Sequence, residues 1–136
     1  MYEFFEHTAD LGLRIRADDL DELFAEAARA LFSSIVTNLD DVRPSESRTL
    51  EIEADRQDDL LHDWLAELLY VFCADHVLLS QFEVNVAETR LTATVRGEPI
   101  DTARHELDAE IKAITYHGLK LARDDDGWLA EVIVDI

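Results

Sequence analysis

The chain is poor in the residues that cross-link or stiffen a fold. Its 136 residues include one cysteine, two prolines and four glycines. A single cysteine, Cys73, excludes an internal disulfide bond. Because Cys73 lies in an apolar helical run, we predict a buried thiol and no nucleophile. The fold must therefore depend on an apolar core, which one domain of this length, residues 1–136, can supply.

Positive charge is also scarce. Two lysines and ten arginines stand against 31 acidic residues, which gives a formal net charge of −19. Direct binding of RNA or DNA needs Lys and Arg to displace counterions from phosphates, and a uniformly negative surface repels them. The composition therefore argues against a protein that binds nucleic acid directly.

Two explanations of the acidity remain open. One is adaptation to a salt-rich cytoplasm, where a Debye length of a few ångströms mutes self-repulsion. The other is recognition of a basic partner. Acidic residues are spread along the whole chain, whereas a recognition patch would be concentrated. The distribution favours salt adaptation, and a halophilic source is our working hypothesis.

Long apolar runs are absent too. The longest falls far short of a membrane span. Charged residues interrupt the first apolar positions, so no signal peptide is predicted. We expect a soluble, cytoplasmic protein with no membrane partner.

Apolar periodicity predicts most of the secondary structure. Alternation indicates strands over 2–7, 11–17 and 49–54 and a hairpin over 82–95, and helical spacing follows Asp19 and Asp55. Asp19 with Glu22 resembles a capping box, and Asp55 is the predicted cap of the second helix. The broad apolar face of that second helix predicts the more central, more buried helix of the two.

The C-terminal third is predicted to be strand-rich. Gly97-Glu98-Pro99 should end the hairpin, 111–116 reads as a strand, and 119–123 and 128–136 flank an Asp-Gly turn. The order β-β-α-β-α-β-β-β-β-β predicts an α+β fold, with two helices packed on a mostly antiparallel sheet in a single domain.

No motif makes an enzyme the first choice. The sequence has no Gly-rich phosphate loop, no paired-cysteine zinc site and no His-Glu-x-x-His. The row Thr115-Tyr116-His117 is unusual for a strand end. On the residues alone, we favour the explanation that the tyrosine is half-buried with its hydroxyl bonded and the histidine caps the strand.

Three oxygen donors lie near strand ends. Asp10 follows the first strand, and the last strand runs into Asp135 and Ile136, whose terminal carboxylate we expect to be held in place. Together these groups suit a hard divalent cation. The spacing alone does not bring them together, because Asp10 also fits an Asx turn and Asp135 a solvated strand end.

Several motifs together resemble the archease family. They are Glu6-His7-Thr8-Ala9-Asp10 with Leu11-Gly12, Ala27-x-x-Ala30-Leu31-Phe32, Leu60-Leu61-x-x-Trp64-Leu65-x-Glu67-Leu68-Leu69-Tyr70, Gly97-Glu98, His105-Glu106, 110–117 and Trp128-x-Ala130-Glu131-Val132-Ile133-x-Asp135-Ile136. The resemblance runs from end to end, on an unusually acid-rich background.

The resemblance implies a function that composition could not show. Archeases are protein cofactors, not enzymes, of the GTP-dependent RNA ligase (RtcB type) that seals tRNA halves. They promote ligase guanylylation and multiple turnover. The resemblance also implies a divalent-metal site at Asp10, Asp135 and Ile136, with Ca²⁺ as the first choice and Mg²⁺ or Mn²⁺ as alternatives. The alternative function is a general chaperone or modulator of tRNA-processing proteins such as a tRNA methyltransferase. A metal-dependent hydrolase ranks third.

Overall fold

Two helices and eight strands make up the described fold. The computed structural model describes residues 1–7 and 10–136, and of His7 the backbone only. The elements are β1 (Tyr2–His7), β2 (Asp10–Ala17), α1 (Leu20–Ile35), a short 3₁₀ turn (Leu39–Asp41), β3 (Glu46–Glu53), α2 (Gln57–Asp75), β4 (Val77–Ala87), β5 (Arg90–Pro99), β6 (Ala113–Ile114), β7 (Lys120–Asp124) and β8 (Gly127–Asp135).

The strands form two sheets in which every described pairing is antiparallel. The five-stranded sheet has the order β1-β2-β8-β6, and β7 pairs with the same strand β8. The three-stranded sheet has the order β3-β5-β4. The predicted α+β class is confirmed, with two sheets where the sequence suggested one. None of the helices in the described ranges combines the length and apolar content that a membrane span requires.

Helix α1 lies between the sheets and contributes most to the core. It contacts β2 and β8 of the larger sheet and β4 of the smaller one. Ten of its 16 residues are buried, against seven of 19 in α2, so the prediction that the second helix is the more buried was wrong. The predicted cap of α1 is confirmed, because the Asp19 carboxylate accepts a hydrogen bond from the Glu22 N–H at 2.8 Å.

Helix α2 starts two residues later than the predicted cap. Its N-cap is Arg56, which makes no side-chain cap hydrogen bond, so the assignment of Asp55 was wrong. The Arg56 guanidinium instead donates to the Asp58 carboxylate at 3.0 Å. Trp64 is fully buried, and its Nε1–H donates to the Phe24 carbonyl oxygen at 2.9 Å. That hydrogen bond ties the two helices together.

Three further predictions need correction. Strand β5 continues through Gly97 to Pro99, opposite an irregularity in β4 between Leu79 and Gln81. The predicted strand over 111–116 is reduced to the two residues of β6. Cys73 is exposed, because it lies in the last turn of α2 on the solvent side that also carries Tyr70.

Candidate functional site

The ends of β2 and β8 bring two of the predicted metal ligands together. Asp10, the first residue of β2, is the direct antiparallel partner of Asp135, the last residue of β8. Directly opposed residues of an antiparallel pair have Cβ atoms about 4.5–5.5 Å apart on one face of the sheet. Both aspartates are half-buried. The sequence could not show that these two residues meet.

Strand β6 flanks Asp135 on its other side. Ala113 pairs with Asp135, and the Lys112 N–H donates to the Asp135 carbonyl oxygen at 2.7 Å. Ile136 follows directly and is 43% exposed. The backbone of His7 pairs with Asp10, whereas Thr8, Ala9 and the His7 side chain lie outside the described part of the molecule. The end of the sheet thus holds Asp135 between two neighbouring strands.

The donor set fits a hard cation. Like charges directly opposite each other on a sheet are destabilising, and a divalent cation offsets that repulsion. Two carboxylates and the terminal carboxylate of Ile136 are oxygen donors of the type that Ca²⁺ and Mg²⁺ take, with water in the remaining positions. Within residues 1–7 and 10–136, no cluster of three or more His, Cys, Asp or Glu side chains could hold a metal. The third donor of the predicted site would be Ile136, which is not one of these side chains.

The nearest basic residue on this face of β2 is already paired. Arg14, four positions after Asp10, lies 3.1 Å from the Glu3 carboxylate and 3.4 Å from that of Glu131. Its guanidinium also lies 4.7 Å from the centre of the Phe5 ring. The Glu3 hydrogen bond, against the effect of burial and helped by Glu131, raises the pKa of Arg14. The Arg14 charge is thus paired with Glu3 and Glu131, its neighbours on the same face of the sheet.

A second polar cluster lies in the smaller sheet, around the buried Glu98. One carboxylate oxygen accepts hydrogen bonds from the Arg43 N–H at 2.6 Å and from His105 Nε2–H at 3.1 Å. The other oxygen is bound by the Arg104 guanidinium. The Asp101 N–H donates to His105 Nδ1 at 2.9 Å, so the neutral tautomer of His105 satisfies both partners.

These bonds control the ionisation of Glu98. Burial by itself would raise the pKa of the carboxyl, but the hydrogen bonds from Arg43, Arg104 and His105 outweigh it and lower the pKa to about 2. Glu98 is therefore a charged, fully bonded anchor for the loops at the end of β5. A group so completely bonded is suited to holding structure rather than to exchanging protons.

Comparison with known proteins settles the relationship. The family model described as the Archease protein family matches residues 2–136. A protein archease of Methanopyrus kandleri is 42% identical over 139 residues, covering 99% of each chain. A protein archease of Pyrococcus abyssi is 39% identical over 140 residues, covering 99% of this chain and 98% of the relative.

The chain belongs to the archease family.

Solved structures agree with this archease in fold. A protein of Methanobacterium thermoautotrophicum, solved in solution, superimposes with a TM-score of 0.87 at 37% identity, covering 99% of this chain and 98% of that one. The crystal structure of an archease from Thermotoga maritima, described as a possible chaperone, gives a TM-score of 0.67 at 24% identity. It covers 100% of this chain and 98% of that one, and at this identity it supports the fold alone.

The archease motifs separate in space into distinct groups. The first and last motifs meet at Asp10 and Asp135, whereas Gly97-Glu98 and His105-Glu106 meet around the Glu98 carboxylate. A third group pairs His62 of α2 with Tyr116, whose rings stack with centres 3.8 Å apart. Sequence reasoning missed this last contact, since nothing in the spacing of His62 and Tyr116 signals it. The unusual row Thr115-Tyr116-His117 was the only feature of the sequence that pointed to a special role for Tyr116.

Proposed function

We propose that this archease activates the GTP-dependent RNA ligase of tRNA splicing and binds a divalent cation at Asp10, Asp135 and the Ile136 carboxylate. The observation that carries the proposal is the direct pairing of Asp10 with Asp135, which assembles two carboxylates from opposite ends of the chain. Membership of the archease family supports an RNA-processing protein as the class of partner. The protein acts on its partner as a cofactor and has no catalytic residues of its own in this proposal.

The cation would serve a structural and electrostatic role. When bound, it neutralises the opposed carboxylates and fixes the end of β8 against β2. The surface presented to the partner then has one geometry. Ca²⁺ is the first expectation, because it accepts irregular oxygen coordination, and Mg²⁺ and Mn²⁺ are the alternatives.

The test is RNA ligation by the cognate ligase at high salt, in single-turnover and multiple-turnover formats. We expect strong stimulation by the wild-type protein and none by Asp10→Ala. Asp125→Ala is the matched control, because Asp125 lies exposed in the β7–β8 turn and its loss changes the net charge equally. An Asp10→Ala protein that lost its metal and still stimulated the ligase fully would refute a role for the site.

A chaperone or modulator role is the second candidate. It is favoured by the description of the Thermotoga maritima archease as a possible chaperone. Its partners would be tRNA-processing proteins such as a tRNA methyltransferase. Suppression of aggregation of such an enzyme, together with no effect on ligation in any salt or metal condition, would replace the first proposal by this one.

A further inference from the structure

An exposed tyrosine is held rigidly against helix α2. Tyr116 lies just after β6, and its ring stacks on that of His62 with an interplanar angle of 14°. The tyrosine is nevertheless 60% exposed. Because His62 covers one face of the ring, the exposed area belongs to the opposite face and to the hydroxyl edge. The molecule thus presents a flat aromatic surface to solvent.

The support beneath this ring is well fixed. His62 Nε2–H donates to the Ile114 carbonyl oxygen at 3.0 Å, and Nδ1 lies 2.9 Å from the Asp63 carboxylate. The His62 side chain is only 12% exposed. On the other side, the Thr115 N–H and Oγ1–H both donate to the Ile133 carbonyl oxygen, at 3.1 and 2.9 Å. Binding to this surface would therefore cost little ordering entropy.

The charge around the ring is negative. Burial, the Asp63 charge and the Asp59 charge, in that order, raise the pKa of the Tyr116 hydroxyl. Asp59, Asp63 and Glu67 are spaced four residues apart and so share one face of α2.

Two basic groups lie near these charges: His62 Nδ1 is 2.9 Å from the Asp63 carboxylate, and Arg56, the N-cap residue, interacts with Asp59. The 19 residues of the helix include no Lys or Arg. Like charges at this spacing destabilise a helix by a few tenths of a kcal/mol per pair. A cationic partner would remove that cost.

We propose that the free face of Tyr116, with the carboxylates of Asp59 and Asp63 beside it, binds an arginine side chain from a basic segment of a protein partner. This inference rests on the proposed function, since it names the surface through which an activator contacts its protein partner. A guanidinium is planar, so it stacks on a tyrosine face while its N–H groups reach carboxylates. Nucleic acid is disfavoured, because its phosphates would meet the acidic face of α2.

The experiment is an NMR titration of ¹⁵N-labelled protein with the capped peptide Gly-Arg-Gly and its neutral citrulline analogue. We expect the arginine peptide alone to shift the amide signals of residues 62 and 116. Tyr116→Ala should weaken binding about tenfold, whereas Tyr116→Phe should retain it because the ring remains. Tyr70→Ala is the matched control, since Tyr70 is 64% exposed on α2, the helix that carries His62. Asp59→Asn should weaken binding and leaves the Asp63–His62 contact beneath the stack intact. The double variant Asp59→Asn/Asp63→Asn should weaken binding further.

Several results would overturn the inference. They are equal binding of the citrulline peptide, no binding of the arginine peptide, and equal losses in Tyr116→Ala and Tyr70→Ala. A single-stranded RNA oligonucleotide that shifted the same signals more strongly would make this a nucleic-acid surface instead. If Tyr116→Ala did not fold, Tyr116→Phe and the double aspartate variant would still decide.

A ligation assay separates this inference from the proposed function. A protein that stimulates the ligase but ignores the arginine peptide keeps its function and loses this binding surface. A protein that binds the peptide through Tyr116 but never stimulates the ligase keeps the surface and loses the proposed function.

Discussion

Asp10 and Asp135 face each other across the pairing of β2 with β8, although nearly the whole chain separates them. Two carboxylates in this position repel each other without a cation. In the proposed metal site, the same pair would weaken the metal-free protein and strengthen the metal-bound one. This opposition of sign makes the site testable by stability alone.

Asp135→Asn should change stability in opposite directions with and without metal. Without divalent ions, we expect a gain of a few tenths of a kcal/mol, up to about 1 kcal/mol, as the repulsion is removed. With metal at about 100 times its dissociation constant, the wild type should gain about 2.7 kcal/mol that the variant lacks. Urea denaturation with EDTA and with Ca²⁺ measures both quantities. Asp125→Asn should behave as the wild type, and a Ca²⁺ gain retained by Asp135→Asn would exclude that residue as a ligand.

Glu98→Gln should destabilise the protein by about 3 kcal/mol near neutral pH, because it breaks a buried charged network. The folded-state pKa of about 2 lies below the ordinary value of 4.5, so the ionised Glu98 contributes stability above pH 4.5. That contribution is lost as the pH falls toward 2. The difference between wild type and variant in urea denaturation should therefore shrink steadily below pH 4.5. Glu51→Gln, at an exposed site on β3, should show no such dependence, and a constant difference for Glu98→Gln would contradict the assignment.

Gly97→Ala and Gly12→Ala should differ sharply in cost. A Cβ added at Gly97 would overlap the carbonyl oxygen of Leu78, which is backbone and cannot move aside locally. At Gly12 the three atoms nearest to the added Cβ all belong to the Phe5 ring, a side chain that can rotate. We expect about 3 kcal/mol or more for Gly97→Ala and less for Gly12→Ala. In a Phe5→Ala background the cost of Gly12→Ala should nearly vanish, whereas that of Gly97→Ala should not change. Equal costs at both glycines would show that the β4–β5 contact is looser than described.

Cys73 should react with a maleimide in the folded protein without denaturant, because its thiol lies exposed near the end of α2. Cys73→Ser removes the only thiol and serves as the blank. Mass spectrometry measures the extent of labelling. Labelling that required urea would instead support the sequence-based prediction that the Cys73 thiol is buried.

Local patterns predicted local structure well. The alternation in β2, the capping residue Asp19 and the Asp-Gly turn before β8 each act within a few residues, so the sequence displays them directly. Pairing across the chain is different. The division into two sheets and the stacking of His62 on Tyr116 depend on contacts between distant segments, which no local period encodes.

The errors have the same origin. The apolar face of α2 suggested the more buried helix. Both helices contact both sheets, but α1 packs more extensively, on β2 and β4, and this depends on tertiary arrangement rather than amphipathicity. Cys73 has apolar neighbours in the sequence, but its position on α2 places its side chain on the solvent side. Asp10, Asp135 and Ile136 were predicted as metal ligands from family resemblance. The register confirms that the first two are neighbours, while metal binding stays a prediction.

The central place of β8 in the larger sheet has a consequence for how the chain reaches its native state. β2 cannot complete its hydrogen bonds until a partner from the opposite end of the sequence arrives, so the decisive contacts have high contact order. Bringing such distant segments together costs loop-closure entropy before the contacts can stabilise the fold. Folding should accordingly be slow for a protein of this size. Until β8 docks, the β2 edge of the β1–β2 pair is unpaired, and an unpaired strand edge favours aggregation.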